Sequence, residues 1–379
     1  MKHPIDLPSL NLESSVLKPK RQTIFILILI SAISLVGIAN RFFFYYQTEH
    51  PIGDETAQYS LTKNRGLLPV WRNDMKFDDV TPFPGHYLFL YPFIKNYDIH
   101  NFVIRTPPLT MQILVFILLF FACRPFYKTW LGFAVAYTIV ALNTTLTIHA
   151  FELRPYSVLP TLALISFYYA DLIIRQDVRL LITQKILCTF LYVFICAFYA
   201  YGIFIAILPI LYQWIANQCW KPEVRRSFDC NFLGKLVLIS FCVWGWYAGG
   251  MIWKYIQRDS AMVLSGYNTF AYIPNPATDC IAFIKSVFGN LMGRKELYIL
   301  LIGFGFIPFL ERKERLQMIA FFIVLVVLPV GLSCLLSVTA HYAFLQRHFS
   351  WAIPFFAVFI GWLWDNFLIH RLSKQNRFS

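Results

Sequence analysis

Charge is scarce in this chain. Only 14% of its 379 residues are Asp, Glu, Lys or Arg, against 58% that are hydrophobic, whereas an ordinary soluble domain is roughly a quarter charged. That shortage excludes a water-soluble globular fold. The eight cysteines contain no CxxC pair, so the usual thiolate zinc site is missing. Most of them fall within apolar runs or at the inner ends of those runs, and only Cys280 falls in an expected outer loop, which argues against a disulfide framework. No HExxH spacing occurs, and no Gly-rich loop of the kind that cradles nucleotide phosphates. Acidic residues are outnumbered 20 to 33 by Lys and Arg. The resulting charge of +13 would suit nucleic acid, but the basic residues are scattered over short loops, without an aromatic-interleaved basic patch. There is no internal repeat and no low-complexity segment. The lone glycosylation sequon, "NTT" at 143–145, lies inside an apolar run and says nothing about a lumen.

What the chain has instead is long apolar stretches, with 38 Phe, 21 Tyr and 10 Trp to furnish lipid and interface contacts. A spanning helix needs about 20 mainly apolar residues. Ten such runs are expected near 22–43, 104–123, 129–148, 155–174, 182–199, 201–219, 232–253, 296–310, 317–338 and 349–368, which predicts an all-α polytopic membrane protein folded as a single membrane-embedded domain over 1–379. The first run, "TIFILILISAISLVGIA", is long for a signal peptide and reads as an uncleaved span. With the N-terminal segment 1–21 in the cytoplasm, more than half of the 33 Lys and Arg fall in short inner segments, as the positive-inside rule requires. Both termini then lie inside, and two outer loops are sizeable, 44–104 and 254–295. In the first of these, "DETAQYSLTKNRGLL" reads as a short amphipathic surface helix. The later "FPGHYLFLYPFI" is apolar and Pro-rich, too short to span, and reads as interfacial.

The outer ends gather ionisable residues. Asp54 and Glu55 follow the first span, Arg105 opens the second, "HAFELRPYS" with Glu152, Arg154 and Tyr156 joins the third to the fourth, and Arg347-His348 opens the tenth. Charges at the edge of a bundle are costly unless they pair or face a wet cavity, which makes them functional candidates. Each has a plainer reading. Asp54-Glu55 suits a helix start, the arginines suit interface snorkelling, Glu152–Arg154 suits a local ion pair, and Pro155 or Pro107-Pro108 suits a first helical turn. His149, His341 and His348 read as interface or phosphate contacts before metal ligands.

In combination and order, "GDETAQYS", "FVIRTPPL", "HAFELRPYSVLPTLALISFYY" and "FLQRHFSWAIPFFAVFIGW" resemble the polytopic glycosyltransferases of the GT-C fold. The similarity is to the dolichyl-phosphate-mannose protein mannosyltransferases and the bacterial lipid A aminoarabinose transferases, whose members carry an Asp-Glu in the first outer loop and, in many bacterial cases, an "EARPY"-like phrase at the third-to-fourth junction. The family phrase similar to "PPLYY" is "FPGHYLF" here, the late "RY" is "RH", and the fifth-to-sixth turn "FYAYGIF" lacks the family's frequent histidine.

The resemblance implies a polyprenyl-phosphate-linked sugar donor and a glycan, lipid or protein acceptor outside the membrane, consistent with a bacterial inner membrane location. Asp54 would serve as general base and Glu55 as a positional partner. Arg105, Arg154, Arg347 and His348 would surround the lipid phosphate, with Arg258, Arg294 and Lys295 as weaker candidates, and Glu152 and Tyr156 would complete the wall. No cofactor is assigned, and metal dependence stays open. The competing expectations are a lipid-linked-oligosaccharide flippase or other transporter, which would place charges near mid-span on broken helices, an outward-facing glycan polymerase, and a scaffold indifferent to loss of Asp54.

Overall fold

A computed structural model describes residues 21–47, 55–56, 59–60, 62–63, 83–174, 180–218, 229–257, 312–332 and 346–375. Asp54 and the expected span 296–310 lie outside the described residues, as do Arg258, Arg294, Lys295 and His341. Among the described residues the fold is entirely helical. In chain order the helices are α1 (Arg21–Gln47), α2 (Pro84–Asn96), α3 (Thr106–Cys123), α4 (Trp130–Leu142), α5 (Thr144–Ile148), α6 (Leu159–Ile174), α7 (Ile182–Phe198), α8 (Gly202–Gln218), α9 (Cys230–Gln257), α10 (Arg312–Phe322) and α11 (Ile353–Gln375). Four stretches are long and apolar enough to cross a membrane: Leu27–Tyr46, Phe102–Cys123, Cys230–Gly249 and Glu314–Leu332. Together they make the chain a multi-pass membrane protein.

The other apolar helices are shorter, and one difference from the sequence expectation has a local cause. The run 129–148 is not one helix. Asn143 takes an extended conformation between α4 and α5, and its side chain accepts from the Leu146 amide. A capping side chain in mid-run ends one helix and starts the next. α9 reaches Gln257, into the segment expected to be loop. α10 begins at Arg312, ahead of its expected start, and passes into a π-helical turn over Ile323–Val327.

Small residues decide the closest helix contacts. A Cβ on Gly361 of α11 would lie 2.5 Å from the Gly132 carbonyl of α4, and one on Gly132 would lie 2.4 Å from the Asp365 Cβ, so the two helices touch backbone to backbone. Asp365 secures that seam at the same end by accepting the amides of Lys128 (2.6 Å) and Thr129 (2.9 Å), and the Thr129 hydroxyl. On the other flank α1 packs on α4 where Gly37 meets Ala141. One turn further along, the fully buried Arg41 donates to the carbonyls of Gly37 (2.8 Å), Val140 (3.2 Å) and Ala141 (3.3 Å), and its guanidinium lies 5.2 Å from the centre of the Phe116 ring in α3. A guanidinium inside a span is tolerated when carbonyls satisfy it, and here it binds three helices together.

At the end of the bundle carrying Lys128 and Asp365, surface ion pairs link Lys128 to Glu314 and Lys185 to Asp229. The opposite end carries Glu55, Arg105, Glu152, Arg154, Tyr156 and His348.

Candidate functional site

The site begins with the turn that enters α3. The Asn101 side chain accepts from the Val103 amide at 2.9 Å and starts a 3-10 turn, Phe102–Arg105, which runs into the paired prolines of the first turn of α3. Arg105 closes that turn facing inward. Its Nη1 donates to both Glu55 oxygens at 2.8 Å and to the Phe151 carbonyl at 2.9 Å, while the Leu153 amide donates to Glu55 Oε1 at 2.6 Å. Both side chains are 1% exposed. A buried ion pair persists only when further hydrogen bonds offset the loss of hydration, and here the backbone of 151–153 supplies them. Glu55 thereby ties the first loop to the entrance of α3 and to the "ELRPYS" turn.

That turn is held from several sides. His149, which closes α5, places Nδ1 2.8 Å from Glu152 Oε1. The single Ser157 hydroxyl proton is shared between the carbonyls of Arg154 (3.0 Å) and Glu152 (3.2 Å), and Gln112 of α3 donates to the Ser157 carbonyl at 2.5 Å. Pro155 opens a second 3-10 turn, Pro155–Ser157, which leads to α6.

From α2, His86 Nε2 donates to the Leu153 carbonyl at 2.9 Å. Burial pushes this imidazole down to about 3; the carbonyl bond opposes that shift and the neighbouring Arg154 charge reinforces it. His86 is therefore neutral, with its proton on Nε2 and its Nδ1 lone pair buried without a partner among the described residues.

Around Tyr156 the site becomes an aromatic cluster. His348 stacks on the Tyr156 ring at 5.4 Å, Tyr199 meets it edge-on at 5.8 Å, His149 lies at 5.8 Å, and the Arg154 guanidinium sits 5.7 Å from the ring centre. Arg154 Nη2 reaches the Tyr156 hydroxyl at 3.5 Å, and that hydroxyl lies 3.4 Å from the Tyr199 hydroxyl. Tyr201 O–H and His348 Nδ1 are 3.2 Å apart. The Ser350 hydroxyl donates to the Tyr156 carbonyl at 3.0 Å, which fastens the turn before α11 to the turn before α6. Tyr199 and Tyr201 flank the tight α7–α8 turn, where the Gly202 amide donates to the Tyr199 carbonyl and a Cβ on Gly202 would lie 2.1 Å from the Ile195 carbonyl.

Of the residues singled out in the sequence, Glu55, Arg105, Glu152, Arg154, Tyr156 and His348 are thus brought to one end of the bundle. Arg347 lies on the 3-10 turn Gln346–Ala352 beside His348. The "FPGHYLF" segment, expected to be interfacial and too short to span, forms the short helix α2, whose His86, Tyr87, Leu90 and Ile94 are buried against the bundle. Sequence reasoning passed over His86, Tyr199 and Tyr201. The available signal was two tyrosines, separated by one residue, leading into a glycine turn at the same end as "ELRPYS".

Chemically, the cluster offers a guanidinium, an imidazole and tyrosine hydroxyls as hydrogen-bond donors beside aromatic faces. Such a set suits phosphate oxygens and sugar hydroxyls. Among the described residues no group of three His, Cys, Asp or Glu is placed to hold a metal ion. In comparisons with known proteins, no family model matches this chain and no curated protein matches it.

Proposed function

We propose that this chain is a membrane glycosyltransferase of the GT-C type, moving a sugar from a polyprenyl-phosphate donor to an extracytoplasmic glycan, lipid or protein acceptor. The observation that carries this reading is the buried Glu55–Arg105 pair. It fastens the Asp-Glu of the first loop to the backbone of the "ELRPYS" turn, so the two motifs that led to this reading are physically joined, although about a hundred residues apart in sequence.

In this reading Asp54, covalently next to the anchored Glu55, takes the proton of the acceptor hydroxyl as that oxygen attacks the anomeric carbon. General-base help of this kind is worth about a hundred- to ten-thousand-fold. The sugar–phosphate C–O bond breaks as the new bond forms, giving one displacement with inversion, and the lipid phosphate leaves as an anion without needing a general acid. Arg154, Arg347 and His348 stabilise its charge. Arg105 holds the Glu55 carboxylate in place through Nη1, and its Nη2, buried without a partner among the described residues, remains for the phosphate.

The test is transfer of label from radiolabelled polyprenyl-phosphate sugars by membranes carrying the wild-type chain or Asp54→Asn. Label should move with the wild type and stop with the variant, and the labelled fraction names the acceptor. Equal transfer by both overturns Asp54 as base. If no sugar is transferred but labelled lipid crosses the bilayer, the chain is a carrier.

A further inference from the structure

At the end of the bundle opposite the candidate site, α7 and α9 run side by side and leave a cleft of about 500 Å³ between the first three turns of α7 and the start of α9. Its wall is divided by chemistry. Ile182, Ile186, Phe190 and Val193 of α7, with Phe232 of α9, make an apolar flank, while Lys185, Lys235, Asp229, Asn231 and Thr189 supply polar groups. The apolar flank is open: Ile182 is 71% and Phe190 68% exposed, and Leu187 beside them is also exposed. The opposite face of α7, with Cys188, Tyr192, Ile195 and Cys196, is buried in the bundle. In a membrane-spanning chain an open apolar helix face of this kind meets acyl chains.

The charges at the helix starts are unequal. Asp229 is engaged by its own helix, accepting the Phe232 amide at 2.9 Å, and by Lys185 at 2.5 Å. Lys185 is thus neutralised locally, and its ammonium rests 5.4 Å from the Phe232 ring. Lys235 is a second, exposed cation lining the same cleft, so among the described residues the side chains lining the cleft carry one net positive charge.

We propose that this cleft is a binding site for an acidic phospholipid, its phosphate at Lys235 and one acyl chain along Ile182, Ile186 and Phe190. The amphiphilic wall argues for a lipid rather than a free anion, because inorganic phosphate has no use for the open apolar strip. The positive balance argues for an acidic over a zwitterionic headgroup. A basic residue near the headgroups contributes about 1 kcal/mol toward anionic lipid, which corresponds to a preference of about fivefold. The site is independent of the sugar-transfer reading and stands or falls separately.

The experiment uses the full chain, purified from vesicles of equimolar phosphatidylglycerol and phosphatidylcholine, with retained lipid counted by native mass spectrometry. The wild type should retain phosphatidylglycerol over phosphatidylcholine by about fivefold. Lys235→Gln should remove most of that preference and Lys235→Arg should keep it; Lys235 is exposed, so neither change threatens the fold. Phe190→Ser should lower retention of both lipids. Equal retention of the two lipids by the wild type, or an unchanged preference in Lys235→Gln, overturns the proposal. So does displacement of the bound lipid by inorganic phosphate alone.

Discussion

Arg105 Nη1 lies 2.8 Å from each carboxylate oxygen of Glu55, with both side chains almost wholly removed from solvent. Breaking one half of such a pair strands the other as a buried charge, at a cost of about 3–5 kcal/mol. Glu55→Gln is therefore expected to lower thermal stability in detergent by about that much, and Arg105→Gln likewise. The double variant should recover part of the loss, because neither charge is then stranded. A double-mutant cycle on unfolding temperature measures the coupling, and additive losses would show that the pair is not a unit.

The backbone contact of α4 with α11 gives a sharper steric expectation. Gly361→Ala places a Cβ about where the Gly132 carbonyl leaves only 2.5 Å. Rigid backbone cannot yield as a side-chain tip does, so the helices must separate, at a cost of about 1–3 kcal/mol. Gly245 of α9, where an added Cβ meets nothing within 4 Å, is the control: Gly245→Ala should leave stability unchanged or slightly raised. Monodisperse recovery after graded heating distinguishes the two.

How far the sequence could be read depended on range. The long apolar spans were legible because composition over twenty residues decides them, as α1, α3 and α9 show. Asn143 was not, because one polar residue in a run of hydrophobics carries no local mark of whether its side chain will face a cavity or cap the next helix. It caps α5. Glu55 and Arg105 were each singled out, yet their pairing across fifty residues is a tertiary fact that no helical period encodes. Tyr199 and Tyr201 resembled interfacial belt residues, and only the turn at Gly202 brings them to Tyr156 and His348. His86 was hidden for a similar reason: its partner, the Leu153 carbonyl, is a backbone atom and leaves no signature in the sequence.

His86 has a pH consequence whose sign is fixed by burial. Its ordinary value of 6.5 falls to about 3 in the folded chain, so between those limits the unfolded chain binds a proton that the folded chain refuses. Stability from this residue is complete above about pH 6.5 and declines as pH drops toward 3, with a slope of at most about 1.4 kcal/mol per pH unit. His86→Gln keeps a side-chain N–H for the Leu153 carbonyl and removes the titration. Its unfolding temperature should fall less steeply with acidification than that of the wild type. Parallel curves for the two proteins would show that His86 is protonated without penalty.

The last expectation concerns the Tyr201–His348 contact at 3.2 Å. A tyrosine hydroxyl donating to Nδ1 leaves the imidazole proton on Nε2, and a histidine's second nitrogen is fixed in this way by the bond its first nitrogen makes. In the proposed reaction that Nε2–H is the group offered to the donor phosphate. Tyr201→Phe preserves the ring that packs at 5.3 Å from His348 and deletes only the hydroxyl. It should cost about 1 kcal/mol in stability and raise KM for the polyprenyl-phosphate sugar about tenfold, because the imidazole is no longer held in one tautomer. Tyr199→Phe, which removes a hydroxyl 3.4 Å from that of Tyr156, should leave KM in place. If both variants change KM alike, the hydroxyl of Tyr201 contributes packing and polarity only, and His348 is not the phosphate donor.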